Sequence, residues 1–190
     1  MIFLSASVPA PKREYFGTED IFAIREAIIA FTKVCAEYKI HFYFGGHPAI
    51  TPLIWRVAMQ NTSHHFPLID IYQSKFFGDK IPKEVSDFNR VHFTAAVDND
   101  LVKSVYAMRQ QMFGENDTDC AVFIGGMKGT LDEYHMLKER YPNAEYLAFA
   151  STGGASADVY KEEGIVNPLL ESGYAYTSIF RELLKPYRRH

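Results

Sequence analysis

Six short apolar runs constrain this chain more than anything else in it: "MIFLSAS" (1–7), "IHFYFGG" (40–46), "PLIDIYQS" (67–74), "RVHFTA" (90–95), "CAVFIGG" (120–126) and "AEYLAFA" (144–150). Each has the length of a buried strand. Most are rich in β-branched or aromatic residues, and several end in glycine or serine. Between them lie stretches with helical spacing. In 19–37, Ile21, Ile24, Ile28, Phe31 and Cys35 recur every three or four residues, with Thr18 in the cap position. In 99–113, Leu101, Val105, Met108 and Met112 do the same behind Asp98; in 130–141, Thr130, Tyr134, Leu137 and Tyr141 mark a third stripe. Strand and helix alternate throughout, with short connections. That order predicts a single Rossmann-like domain over residues 1–190. It is a doubly wound α/β fold, with a mainly parallel sheet and helices on both faces.

Composition narrows the function. The chain has 190 residues, enough to bury a sizeable core. Its formal net charge is −3, so no basic excess favours a nucleic acid polymer as partner. A free nucleotide needs only a local anion site. The two cysteines, Cys35 and Cys120, lie far apart inside apolar segments and read as reduced core residues. "MIFLSASVPA" lacks the basic start and the long apolar stretch of a signal peptide. No run approaches the roughly 18 apolar residues of a membrane span, so the expected setting is the cytoplasm, away from membranes.

In an open α/β sheet, ligands bind outside the carboxyl ends of the strands. Those ends here are "SASVP" (5–9), "FGGHPAITP" (44–52), "YQS" (72–74), "IGGMKGT" (124–130) and "STGGAS" (151–156), and the fold should bring all of them to one edge. Glycine lets backbone amides approach an anion, and a following helix start adds partial positive charge. "IGGMKGT" has the order strand, glycine loop, helix. It is neither a Walker A loop nor a GxGxxG loop. The expected phosphate–ribose contacts are Ser5, Gly45, Gly46, His47, Gly125, Gly126, Met127, Gly129, Thr130, Ser151, Thr152, Gly153 and Gly154. The plain alternative for each loop is a tight turn with packing glycines. Thr130 can cap its helix or donate to a phosphate oxygen. His47 can bond a phosphate or ribose, or hold its own loop together. Ser5 and Ser7 sit in no GxSxG elbow, so nothing supports a nucleophilic serine. His64 and His65 have no carboxylate or cysteine at ligand spacing, so no metal is expected. No cofactor is implied.

Two acids follow the glycine loop. At roughly 100° per residue, Glu133 falls beside the stripe of Tyr134, Leu137 and Tyr141, while Asp132 points nearly opposite. Glu133 should therefore face the sheet edge and Asp132 water. Arg109 lies at the border of its helix's buried face. There it can clamp a phosphate, pair with Glu133, or snorkel to the surface.

Residues 109–133, "RQQMFGENDTDCAVFIGGMKGTLDE", resemble the lonely-guy (LOG) proteins, long called lysine decarboxylases. Those carry an R-K-x-x-M helix, then a strand and P-G-G-(G)-x-G-T-x-x-E. Arg109, Met112, Gly125, Gly126, Gly129, Thr130 and Glu133 match; Gln110 and Ile124 stand where the pattern has lysine and proline. Gly45 and Gly46 occupy the place of a second LOG glycine loop, and His47-Pro48 departs from it. "LSASVP", "FGGHPAITPLI", "YQS", "FIGGMKGTLDEY" and "STGGA" look still more like the bacterial SLOG branch, which occurs alone or beside TIR and sirtuin-type domains. The resemblance covers most of 1–155 and leaves 157–190 unmatched.

The SLOG resemblance implies a sensor for nucleotides derived from NAD, such as ADP-ribose forms, acting on a signalling effector chain. The LOG resemblance implies the alternative, hydrolysis of the N-glycosidic bond of a nucleoside 5′-monophosphate to base and ribose phosphate. Arg109 and Glu133 would then be the catalytic pair. Relatives commonly dimerise, so the resemblance also implies a homodimer. Lysine decarboxylation is not expected, because Lys128 stands alone without a motif for pyridoxal phosphate.

Overall fold

A computed structural model of the chain describes residues 1–61 and 68–189. The chain runs β1 (Ile2–Ser7), α1 (Ile21–Glu37), β2 (Phe42–Gly45), α2 (Thr51–Asn61), β3 (Ile69–Ser74), β4 (Arg90–Thr94), α3 (Leu101–Glu115), β5 (Cys120–Gly125), α4 (Lys128–Arg140), β6 (Glu145–Phe149), α5 (Ala155–Glu162), α6 (Pro168–Ser172) and α7 (Tyr176–Leu183). The strands form one sheet in the order β4-β3-β2-β1-β5-β6, and every pairing is parallel. This is a Rossmann-like doubly wound sheet. All six apolar runs of the sequence became its strands, and all their carboxyl ends lie on one edge.

Alternation along the strands sorts the core into two layers. Ile2 is in register with Phe42, and Phe42 packs edge-on to Phe31 of α1. Phe3 is in register with Tyr43, and Phe3 packs edge-on to Phe113 of α3. On β5 and β6 the same rule puts Phe123 against Tyr134 of α4 and Phe149 against Phe180 of α7. So α1, α2 and α7 cover one face, and α3, α4 and α5 the other. Every residue of β5 is buried, which is why "CAVFIG" is apolar without alternating. Cys35 and Cys120 are free and buried.

Three local expectations needed correction. The helix caps are Asp20 and Asp100, each two residues later than expected; their side chains accept from Ala23 and Lys103 N–H at 2.9 and 2.8 Å. Ile21 and Leu101, read as the first residues of buried stripes, are 53% and 39% exposed. The true stripes begin one turn further on. Between β3 and β4 the crossover is two 3-10 turns, Lys75–Lys80 and Lys83–Asp87, rather than an α-helix. Gly78, at φ 48°, and Pro82 interrupt the segment before a helix can grow.

The far edge of the sheet is pinned by a buried carboxylate. Asp70 of β3 is 2% exposed. It bonds His41, His92 at 2.7 Å, and Arg90, whose Nε donates at 2.9 Å. Burial alone would push this acid up, but hydrogen bonds from His41, His92 and Arg90 outweigh it and hold Asp70 at about 2. Because the folded value lies below the usual 3.8, the stabilisation is present above about pH 4 and is lost as pH falls to about 2. Asp70→Asn is expected to cost about 2 kcal/mol at neutral pH and to flatten this acid limb. Urea titrations at pH 7 and pH 3 check it.

Candidate functional site

The chain leaves β1 in one direction toward β2 and returns to β5 on its other side. That reversal opens a crevice at the carboxyl ends of β1 and β5. A cavity of about 170 Å³ lies there. Ser5 and Ser7 of β1 form its floor. Gly45, Gly46 and His47 line the β2 side, and Met127 with Gly129, Thr130 and Glu133 of α4 the β5 side. Val105, Met108 and Arg109 of α3, with Phe77 from the first 3-10 turn, complete the wall.

At its centre Glu133 and Arg109 are paired and largely buried, with side chains 14% and 12% exposed. Arg109 Nε donates to Glu133 Oε1 at 3.1 Å, and Ser5 Oγ donates to the other oxygen, Oε2, at 2.5 Å. Ser5 also reaches Thr130 Oγ1 at 3.3 Å. Arg109 Nη2 donates to the Gly129 carbonyl at 2.9 Å. A Cβ on residue 129 would stand 2.6 Å from that nitrogen, so a side chain there would push the guanidinium aside. Glu133 faces the sheet edge, as helical geometry predicts. Asp132 does not face water alone. It is about half exposed and meets Arg109 Nη1 at 3.4 Å, because the arginine fork spans both acids.

The glycine loop is not a simple cradle of free amides. Gly125 N–H donates to Thr152 Oγ1 at 2.8 Å, and Gly126 N–H to the Ser7 carbonyl at 2.9 Å. Both amides are turned into the protein. Met127 and Gly129, in the cap and first turn of α4, line the crevice instead, at the helix start where amides have no intrahelical acceptor. Thr130 lies inside that helix, not at its cap. Ser151, Thr152, Gly153 and Gly154 do not line the cavity. They buttress it: Thr152 Oγ1 takes the Gly125 amide, Ser151 bonds Tyr176, Gly153 bridges to Glu19, and Ala155 N–H donates to the Gly126 carbonyl.

The sequence profile of the SLOG cluster3 family matches residues 14–184. The chain belongs to the SLOG superfamily. Membership suggests a nucleotide-related function. None of the curated proteins compared with the chain matches it. The SLOG match runs on to residue 184, well past the loop resemblance that ended at 155, and so takes in α5, α6 and α7. Ser5 and Ser7 precede the matched span, so the floor of the SLOG cavity here is read from this chain's own geometry.

Sequence reasoning missed the apolar part of the wall. Ser7 was in reach, since alternation puts it on the face of Ser5. Phe77 carried no signal, because nothing local says that a 3-10 turn will fold over the sheet edge. Among the described residues of this SLOG domain, no group of three or more His, Cys, Asp or Glu is placed to hold a metal, and no helix is long and apolar enough to cross a membrane. His64 and His65 lie outside the described residues.

Proposed function

We propose that this SLOG chain is a nucleotide sensor. It holds the phosphate–ribose part of a ligand derived from NAD, such as an ADP-ribose form, at the β1/β5 crevice. One observation carries the reading: the first turn of α4 and the buried Glu133 line one cavity. The amides and helix dipole suit a phosphate. The carboxylate suits ribose hydroxyls, because each oxygen keeps a lone pair beyond its bond to Ser5 or Arg109. A volume of about 170 Å³ suits one ribose and one phosphate, so the remainder of a larger nucleotide lies across the rim. A second copy of the chain and an effector chain are the partners this reading calls for.

The same pair of residues would serve an N-glycosidase. The test is incubation with AMP, NAD and ADP-ribose, following melting temperature and base release together. A rise in melting temperature of several degrees, without base release, is expected at ligand well above its dissociation constant. Glu133→Gln should shrink that rise. Base release abolished by Glu133→Gln would replace the sensor with the hydrolase.

A further inference from the structure

His47 lines the cavity from the β2 side, and its loop is closed through its own atoms. Its carbonyl accepts from Ile50 and Thr51 N–H at 3.1 and 2.9 Å, and its N–H donates to Thr51 Oγ1 at 3.0 Å. Its ring Nδ1 accepts from Ala49 N–H at 3.2 Å. A ring nitrogen that accepts an N–H carries no proton. The proton of the neutral ring is then on Nε2, which makes Nε2–H a donor. Burial favours the same state, lowering the imidazole from 6.5 to about 4. The charged groups lining the same cavity are Arg109 of α3 and Glu133 of α4, and they are paired with each other.

We infer that His47 is a specificity-determining residue, a fixed and uncharged donor that reads the sugar of the bound nucleotide rather than its phosphate. The inference rests on the nucleotide reading above. Its ground is the strand order β2-β1-β5, which sets the His47 loop and the α4 amides on opposite sides of β1. Neighbouring strands lie about 4.8 Å apart, so the two walls are about 10 Å apart. A phosphate seated on the α4 amides does not reach across that gap. The ribose attached to it does.

The test titrates inorganic phosphate, ribose 5-phosphate and ADP-ribose into the whole chain and into His47→Asn. Asparagine can accept the same Ala49 amide through its side-chain oxygen, so the loop is kept while the longer ring donor is withdrawn. Nitrogen-15 NMR of the His47 ring runs alongside on the unaltered chain. About a tenfold loss is expected for ribose 5-phosphate and ADP-ribose, with inorganic phosphate unchanged. The ring should show the Nε2–H tautomer from pH 5.5 to pH 8, and ribose 5-phosphate should shift that proton. An equal loss for inorganic phosphate would make His47 a phosphate ligand and overturn the inference. So would unchanged affinity for all three ligands, or an imidazolium at pH 7. If the variant unfolds, the NMR decides, since an Nε2–H that ribose 5-phosphate does not move also overturns it. Binding of none of the three to the unaltered chain would sink the nucleotide reading and this inference with it.

Discussion

Arg109→Ala is expected to weaken ADP-ribose binding at least a hundredfold and to cost about 2–3 kcal/mol of stability. The arginine makes three contacts at once: Glu133 at 3.1 Å, Asp132 at 3.4 Å and the Gly129 carbonyl at 2.9 Å. Its removal leaves a largely buried carboxylate with only Ser5 as partner and frees the start of α4 to move. Arg109→Lys should recover little, because a lysine offers one point charge where a planar fork now meets three acceptors on α4. The double substitution Arg109→Met with Glu133→Leu separates the two roles. It removes both charges together, so stability should return while binding does not. Calorimetric titration and urea unfolding on the four proteins measure this. Binding retained by Arg109→Ala would mean that the pair is structural only.

Gly154→Ala should cost about 3 kcal/mol of stability, or some 10 °C in melting temperature. Gly154 stands at φ 63° and ψ −157°, a conformation that L side chains rarely adopt. A Cβ there would lie 2.8 Å from the Gly126 carbonyl oxygen and 2.9 Å from the Gly125 carbonyl carbon, both of them backbone atoms that cannot rotate away. Relief would displace the Gly125–Gly126 peptide, and with it the α4 amides. Ligand affinity should fall with stability even though residue 154 lines no part of the cavity. Gly164→Ala is the control: φ is 69° there, but nothing lies within 4 Å of the added atom. It should cost about 1 kcal/mol. Equal melting temperatures for the two variants would mean that residue 154 buttresses nothing.

The two acids after the glycine loop show how far local periodicity reaches. It chose Glu133 over Asp132 for the sheet edge, because a helix fixes direction through 100° steps that need no knowledge of the partner. It sent Asp132 to water, because it had no way to know that a long side chain from another helix would reach both acids. Thr18 and Asp98 failed as caps for a related reason. Any polar residue near a helix start can cap, and the choice depends on which turn first meets the sheet. Asp20 and Asp100 stand directly before the first helical residues, and their side chains reach the third amide on.

The amino-acid sequence by itself determined the six strands, the parallel sheet and the edge on which every loop ends. Apolar runs of strand length between helical stripes have few other ways to bury themselves. It also singled out Arg109 and Glu133, through spacing and resemblance. Only the tertiary structure decided which glycine amides are taken by acceptors inside the protein. Gly125 and Gly126 spend theirs on Thr152 and Ser7, one partner beyond the next strand and the other in the first. Hydrogen bonds at such separations form only after the sheet has assembled, and no window of local sequence contains both ends. For the same reason "STGGAS" turned from a ligand loop into a buttress. Its chemistry was visible in the sequence, but what it touched depended on β5 and β6 lying side by side.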